Sequence, residues 1–139
     1  MSVRPGPRLM APEWSGPWRL LLAAYLMAWV PLNFAAAVAT VLPSLGMRGA
    51  PAAIEIVLHG IVAALAFAAG QAILSRREDA EAFASVAVAL STAVALQSLH
   101  WSSLPHQTKP GDEWPLSLLL AVHGAAWLWY LRRRVRASR

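Results

Sequence analysis

Apolar residues run along this chain in four long blocks, separated by short segments rich in proline, glycine and charge, with no alternation of period two. The blocks cover about residues 18–45, 52–74, 82–104 and 114–131. At a rise of about 1.5 Å per residue each is long enough to cross a hydrocarbon core about 30 Å thick, the fourth only just. Helices are expected rather than strands. Alanine and leucine dominate, and a lipid-exposed backbone satisfies its hydrogen bonds only in a helix or a closed barrel, which this length and pattern exclude. The predicted fold class is therefore all-α: an integral membrane four-helix bundle, antiparallel and up-down.

The intervening segments support the same boundaries. "LPSLGMRGAP" (Leu42 to Pro51) is a turn, "SRREDAE" (Ser75 to Glu81) a short charged loop, and "LPHQTKPGDEWP" (Leu104 to Pro115) a polar connection with three prolines. Pro51 and Pro115 fall at or near the first turn of the second and fourth helices, where a missing N–H has no consequence. Three parts result: a tail over residues 1–17 with four prolines, the four-span domain over 18–131, and a basic tail over 132–139. The tail is expected to be irregular and cytoplasmic. Signal cleavage after "AAAVAT" (Ala35 to Thr40) is not expected, because the preceding basic region is long and proline-rich and the apolar run contains Pro31.

Composition agrees with this class. Hydrophobic residues make up 58% of the 139, charged ones 14%, and the mean hydropathy is +0.48, against about 45–50% and 25% in soluble domains. There is no cysteine, which removes disulfides, thiolate catalysis and cysteine-ligated metals.

Charge supplies an orientation. Arg4, Arg8, Arg19, Arg76, Arg77, Arg132, Arg133, Arg134, Arg136 and Arg139 fall on one side of the predicted bundle, and only Arg48 and Lys109 on the other. Such a bias over short loops places both termini in the cytoplasm, in a cell (inner) membrane. A pI near 11.1 is then a consequence of topology, and no nucleic-acid partner is expected. The "LRRRVRASR" tail adds attraction to anionic headgroups. Trp101 and Trp114 fall near the outer interface, and Trp14, Trp18, Trp127, Trp129 and Tyr130 near the inner one, as an aromatic belt. Tyr25 and Trp29 lie deeper, where they can face the bundle.

Small residues suggest contact faces: Gly60, Ala64 and Ala68 on the second helix, and Ser85, Ala89 and Ala93, continuing to Gln97, on the third. A shift of 64 residues superposes Pro51 on Pro115, His59 on His123, Gly60 on Gly124 and Asn33 on Gln97. The bundle thus also admits a reading as two repeated helical hairpins in parallel orientation.

The candidate chemistry lies in polar residues inside the apolar blocks. His59 and His123 fall at matching depth, His100 lies nearer the outer end, and Glu55 precedes His59 by one helical turn on the same face. Asn33, Gln97 and Thr92 add neutral polarity, and Pro31 is expected to bend the first helix beside Asn33. The leading expectation is that these groups hydrogen-bond across helices in a non-catalytic structural or accessory subunit of a larger membrane complex, with protein partners or copies of itself. One alternative is haem b held by His59 and His123, with Gly60 and Gly124 leaving room for the porphyrin. A divalent metal on Glu55, His59, His100 and His123 is the other ligand reading. The remaining alternative is a proton-coupled or small-solute carrier, which the apolar inner half of the second helix disfavours. No nucleophile elbow, phosphate loop or H-E-x-x-H occurs, so enzymatic activity is not expected.

Overall fold

The computed structural model describes residues 16–101 and 111–137, with side chains to Arg133. The expectations for residues 1–15, the end of the third block at Leu104, Lys109 and the final basic residues lie outside the described ones. Among the described residues there is no strand, and the chain is all-helical. Helix α1 (Pro17–Ala24) passes through a π-helical turn (Tyr25–Trp29) into α2 (Val30–Val41), and a 3-10 turn (Leu42–Ser44) leads to α3 (Leu45–Leu74). Helices α4 (Ala80–Trp101) and α5 (Glu113–Ala137) follow. Three helical stretches are long and apolar enough to cross a membrane: Pro17–Leu74, Ala80–Trp101 and Glu113–Arg133.

The first of these is broken where the sequence requires it. Gly49 has φ 75° and ψ −169°, a conformation essentially reserved for glycine. Pro51 then restarts the helix. Beyond this point the chain runs back along itself: Gly70 of α3 lies against Met27 and Ala23, Gly60 against Phe34, and Ala52 shares a small buried cluster with Val41. The opposite end of α3 stops in a Schellman arrangement. Arg77 N–H donates to Ala72 C=O at 3.1 Å and Arg76 N–H to Ile73 C=O at 3.3 Å, with Arg76 at φ 54°.

Around Pro31 the first stretch departs from a regular α-helix. The helix widens one turn earlier, where Val30 N–H reaches back to Tyr25 C=O. An extra residue in that turn relieves the carbonyl that the proline ring would strike, and it re-aims the side chains around it. Tyr25 and Trp29, at the ends of this turn, both line the cavity described below.

The core is concentrated at the end that carries the Ser75–Asp79 connection. Leu22, Leu26, Ala66, Ala69, Ile73, Ala84, Val88 and Leu131 are buried together there. The small-residue faces expected from four-residue spacing are used in part: Gly60 lies against Phe34 and Gln97 bonds across to α3. Ala64, Ala89 and Ala93 are exposed, whereas Ala63, Ala66, Ala69 and Gly70 of α3 and Ala80, Ala84, Ala87 and Ser91 of α4 are buried. Alanine is so abundant that several faces of each helix satisfy the spacing, and the large side chains of neighbouring helices decide which one is used. Trp127 and Tyr130, expected in an interfacial belt, instead pack against this core. Trp129 remains exposed, with the Arg133 guanidinium 4.3 Å over its ring.

Candidate functional site

Polar side chains gather in the half of the molecule that the alanine core leaves unfilled. His59 on α3 is half-buried, with Nδ1 2.8 Å from the Glu55 carbonyl and Nε2 2.8 Å from Ser98 Oγ on α4. A carbonyl cannot donate, so Nδ1 carries the proton. In the neutral ring Nε2 then accepts the Ser98 hydroxyl proton. Both ring nitrogens are engaged by protein, and the bond to Ser98 joins two helices.

Glu55, one turn away, turns to a different partner. Its carboxylate is buried and accepts from Gln97 Nε2 at 3.2 Å, and the same amide nitrogen donates to the Trp101 carbonyl at 3.2 Å. Gln97 thus bonds within its own helix and also ties it to α3. Gln97 Oε1 is buried with no hydrogen-bond partner among the described residues. The Glu55 carboxylate bonds Gln97 and the His59 ring bonds Ser98. They line two separate cavities, one lined by Glu55, Gln97 and Trp101, the other by His59, Asn33 and Ser98.

His100 stands near the end of α4 between the rings of Trp101 and Trp114, at centroid distances of 5.6 and 5.2 Å. Ser117 of α5 gives its proton to the Glu113 carbonyl at 2.7 Å, so it accepts from His100 Nε2–H at 2.8 Å. His123 is exposed midway along the apolar part of α5. Its ring lies edge-on to Tyr25 at 4.9 Å, and Nε2 accepts from Trp127 Nε1–H at 3.2 Å. Tyr25 also stacks on Trp127 at 6.3 Å. This aromatic seam joins the first and last helical stretches, and only the depth of Tyr25 hinted at it in the sequence.

These placements bear on the ligand readings. Among the described residues no group of three or more His, Asp or Glu side chains gathers as a metal site. An iron held by His59 and His123 would need a nitrogen from each ring, whereas His59 uses both of its own within the protein. The room expected beside the glycines is occupied. A methyl group at Gly60 would meet Phe34 Cζ at 3.3 Å, and one at Gly124 would meet Thr92 Oγ1 at 2.5 Å. Both glycines serve helix contact.

The cavity that His59 lines, of about 370 Å³, lies between α2, α3 and α4 and is reached by Leu120 of α5. Trp29, Phe34, Val62 and Leu99 supply apolar walls, and Tyr25, Asn33, His59, Ser91 and Ser98 a polar strip. Sequence reading singled out Asn33 and His59 but not Ser91 or Ser98, because a serine in a helix gives no sign of which face it occupies. No family model matches the chain, and no curated protein or solved structure matches it either.

Proposed function

We propose that this chain is a multi-pass membrane protein of four antiparallel spans, both termini cytoplasmic in a cell (inner) membrane, acting as a non-catalytic structural or accessory subunit of a larger complex. The observation that carries this reading is the use of the polar side chains inside the apolar helices. His59 bonds Ser98, Gln97 bonds Glu55 and His100 bonds Ser117, each across a helix pair. Bonds of this kind contribute on average about 0.6 kcal/mol in membranes and set register. The break at Gly49 lets Pro17–Leu74 supply two of the four spans, in line with the return of α3 along α1 and α2.

A role beside partners is supported by α5. It is the least buried of the three apolar stretches, and it leaves His123 exposed at mid-length among exposed Leu118, Leu119 and Val122. A polar ring held against lipid at that depth is costly, and a neighbouring protein or second copy would cover it.

Purified protein tests the reading directly. The expected preparation is colourless and contains no stoichiometric metal, and it loses thermal stability when Ser98 is replaced by alanine. A visible haem band, or one equivalent of zinc, copper or iron lost on substituting His59 and His123, would overturn it in favour of a cofactor. Proton uptake by vesicles containing the protein, abolished by Glu55→Gln, would overturn it in favour of a carrier.

A further inference from the structure

We propose that the cavity bounded by Trp29, Phe34, Val62, Leu99 and Leu120 is a binding site for an uncharged, hydroxyl-bearing amphiphile dissolved in the membrane. This rests on the membrane reading above and assigns a ligand class to a site that the structural role does not need. The volume, about 370 Å³, is within the range of small-molecule sites. The opening is lateral. α5 packs along α4, its contacts with α2 are sparse, and Trp29 and Asn33 are exposed where they line the cavity.

Hydrogen-bond valence selects the headgroup. The Ser98 proton goes to His59 Nε2 and the His59 Nδ1 proton to the Glu55 carbonyl. The Ser91 proton goes to the Val88 carbonyl at 3.1 Å. One Asn33 amide proton goes to the Trp29 carbonyl at 2.8 Å. The strip therefore offers acceptor lone pairs on Ser98 Oγ, Ser91 Oγ and Asn33 Oδ1, and donors in the Tyr25 hydroxyl and one remaining Asn33 N–H. An alcohol can donate to one of these acceptors and accept from one of these donors, whereas an ester, ether or ketone can only accept. No carboxylate, lysine or arginine lines the cavity, and its one imidazole, His59, has both nitrogens bonded within the protein, so an ionised headgroup would lose its water without gaining a partner. The apolar walls take the hydrocarbon body.

The full chain in phosphatidylcholine vesicles, labelled with a photoactivatable diazirine octadecanol, tests this site. Labelling is expected to saturate, to map to cavity-facing positions of α2 and α4, and to be competed by octadecanol at least ten times better than by octadecyl methyl ether. Ala95→Phe, which fills the cavity, should abolish saturable labelling. Asn33→Leu alters an exposed side chain, so it spares the fold, and it should weaken competition by about three- to tenfold, the loss of one hydrogen bond. Labelling that rises without saturation over all helices, or an ether competing as well as the alcohol, overturns the site while leaving the membrane reading intact. Failure of the chain to float with the vesicles overturns the membrane reading and the site with it.

Discussion

The two His-Gly pairs look interchangeable in sequence, eight residues after a proline in each case, yet the fold uses them in opposite ways. At His59–Gly60 the imidazole carries the helix contact and the glycine makes the less demanding one. Both ring nitrogens are bonded, while a methyl group at Gly60 would meet only the far edge of the Phe34 ring, at 3.3 Å. At His123–Gly124 the glycine carries the contact. Thr92 Oγ1, Cγ2 and Cβ stand 2.5, 2.7 and 3.1 Å from where a methyl group would lie, and the imidazole is exposed. Depth and neighbours in sequence are shared; what differs is the helix opposite. A matching motif is therefore weak evidence of a matching site, and the 64-residue shift does not carry equivalent contacts with it.

The glycines give the largest test of this contrast. Gly124→Ala should destabilise the protein by about 1–3 kcal/mol, because Thr92 is a short branched side chain with little freedom to retreat. Adding Thr92→Ala removes two of the three close atoms and should restore most of the loss. Gly60→Ala should be near neutral, since a helix-propensity gain of about 0.5–1 kcal/mol offsets a contact that the Phe34 ring can relieve by tilting. Thermal unfolding in detergent measures all three, and equal losses at the two glycines would break the comparison.

The histidines should rank the other way. His59→Leu leaves the Ser98 hydroxyl without its partner on α3 and should cost about 1–3 kcal/mol. His123→Leu removes one ring contact and one exposed hydrogen bond, and should change the isolated chain by less than about 0.5 kcal/mol. Its effect belongs instead to association, read as weaker retention of partner or second copy in a mild detergent. A His123→Leu loss as large as that of His59→Leu would mean that the aromatic seam to Tyr25, not Ser98, holds the helices.

The smallest expected effect is a control outside both pairs. Asp79 is fully exposed and receives two bonds from the Arg77 guanidinium, at 2.9 and 2.7 Å. That hydrogen bonding holds its carboxyl below the usual range against a slight opposing desolvation. The sign follows: any stabilisation is present above the unfolded carboxyl pKa and fades as pH falls through the lowered folded value. Solvent and salt screen such a pair, so Asp79→Asn should leave the unfolding temperature unchanged. Carboxyl NMR titration should still show the lowered value, and an ordinary one would mean that the pair does not form in solution.

The apolar blocks, the missing period of two and the breaks at proline and glycine determined an all-helical chain with helices long enough for a membrane. They did so because hydropathy and backbone restriction act locally. Gly49 and Pro51 had to interrupt a run that was otherwise helical from Pro17 to Leu74. His59, His100 and Glu55 were also legible as groups needing partners, since buried polar atoms do. Their partners were not. Ser98, Ser117 and Gln97 were chosen by which face of α4 or α5 turns inward, and in helices this rich in alanine no face is distinguished by its own residues. Only the packing of large side chains from neighbouring helices gave the Glu55 carboxylate and the His59 ring different partners, filled the space at Gly124 with Thr92, drew Tyr25 against His123, and left an open cavity beside the π-helical turn. Those outcomes depend on volumes meeting across space, which neighbours along the chain do not specify.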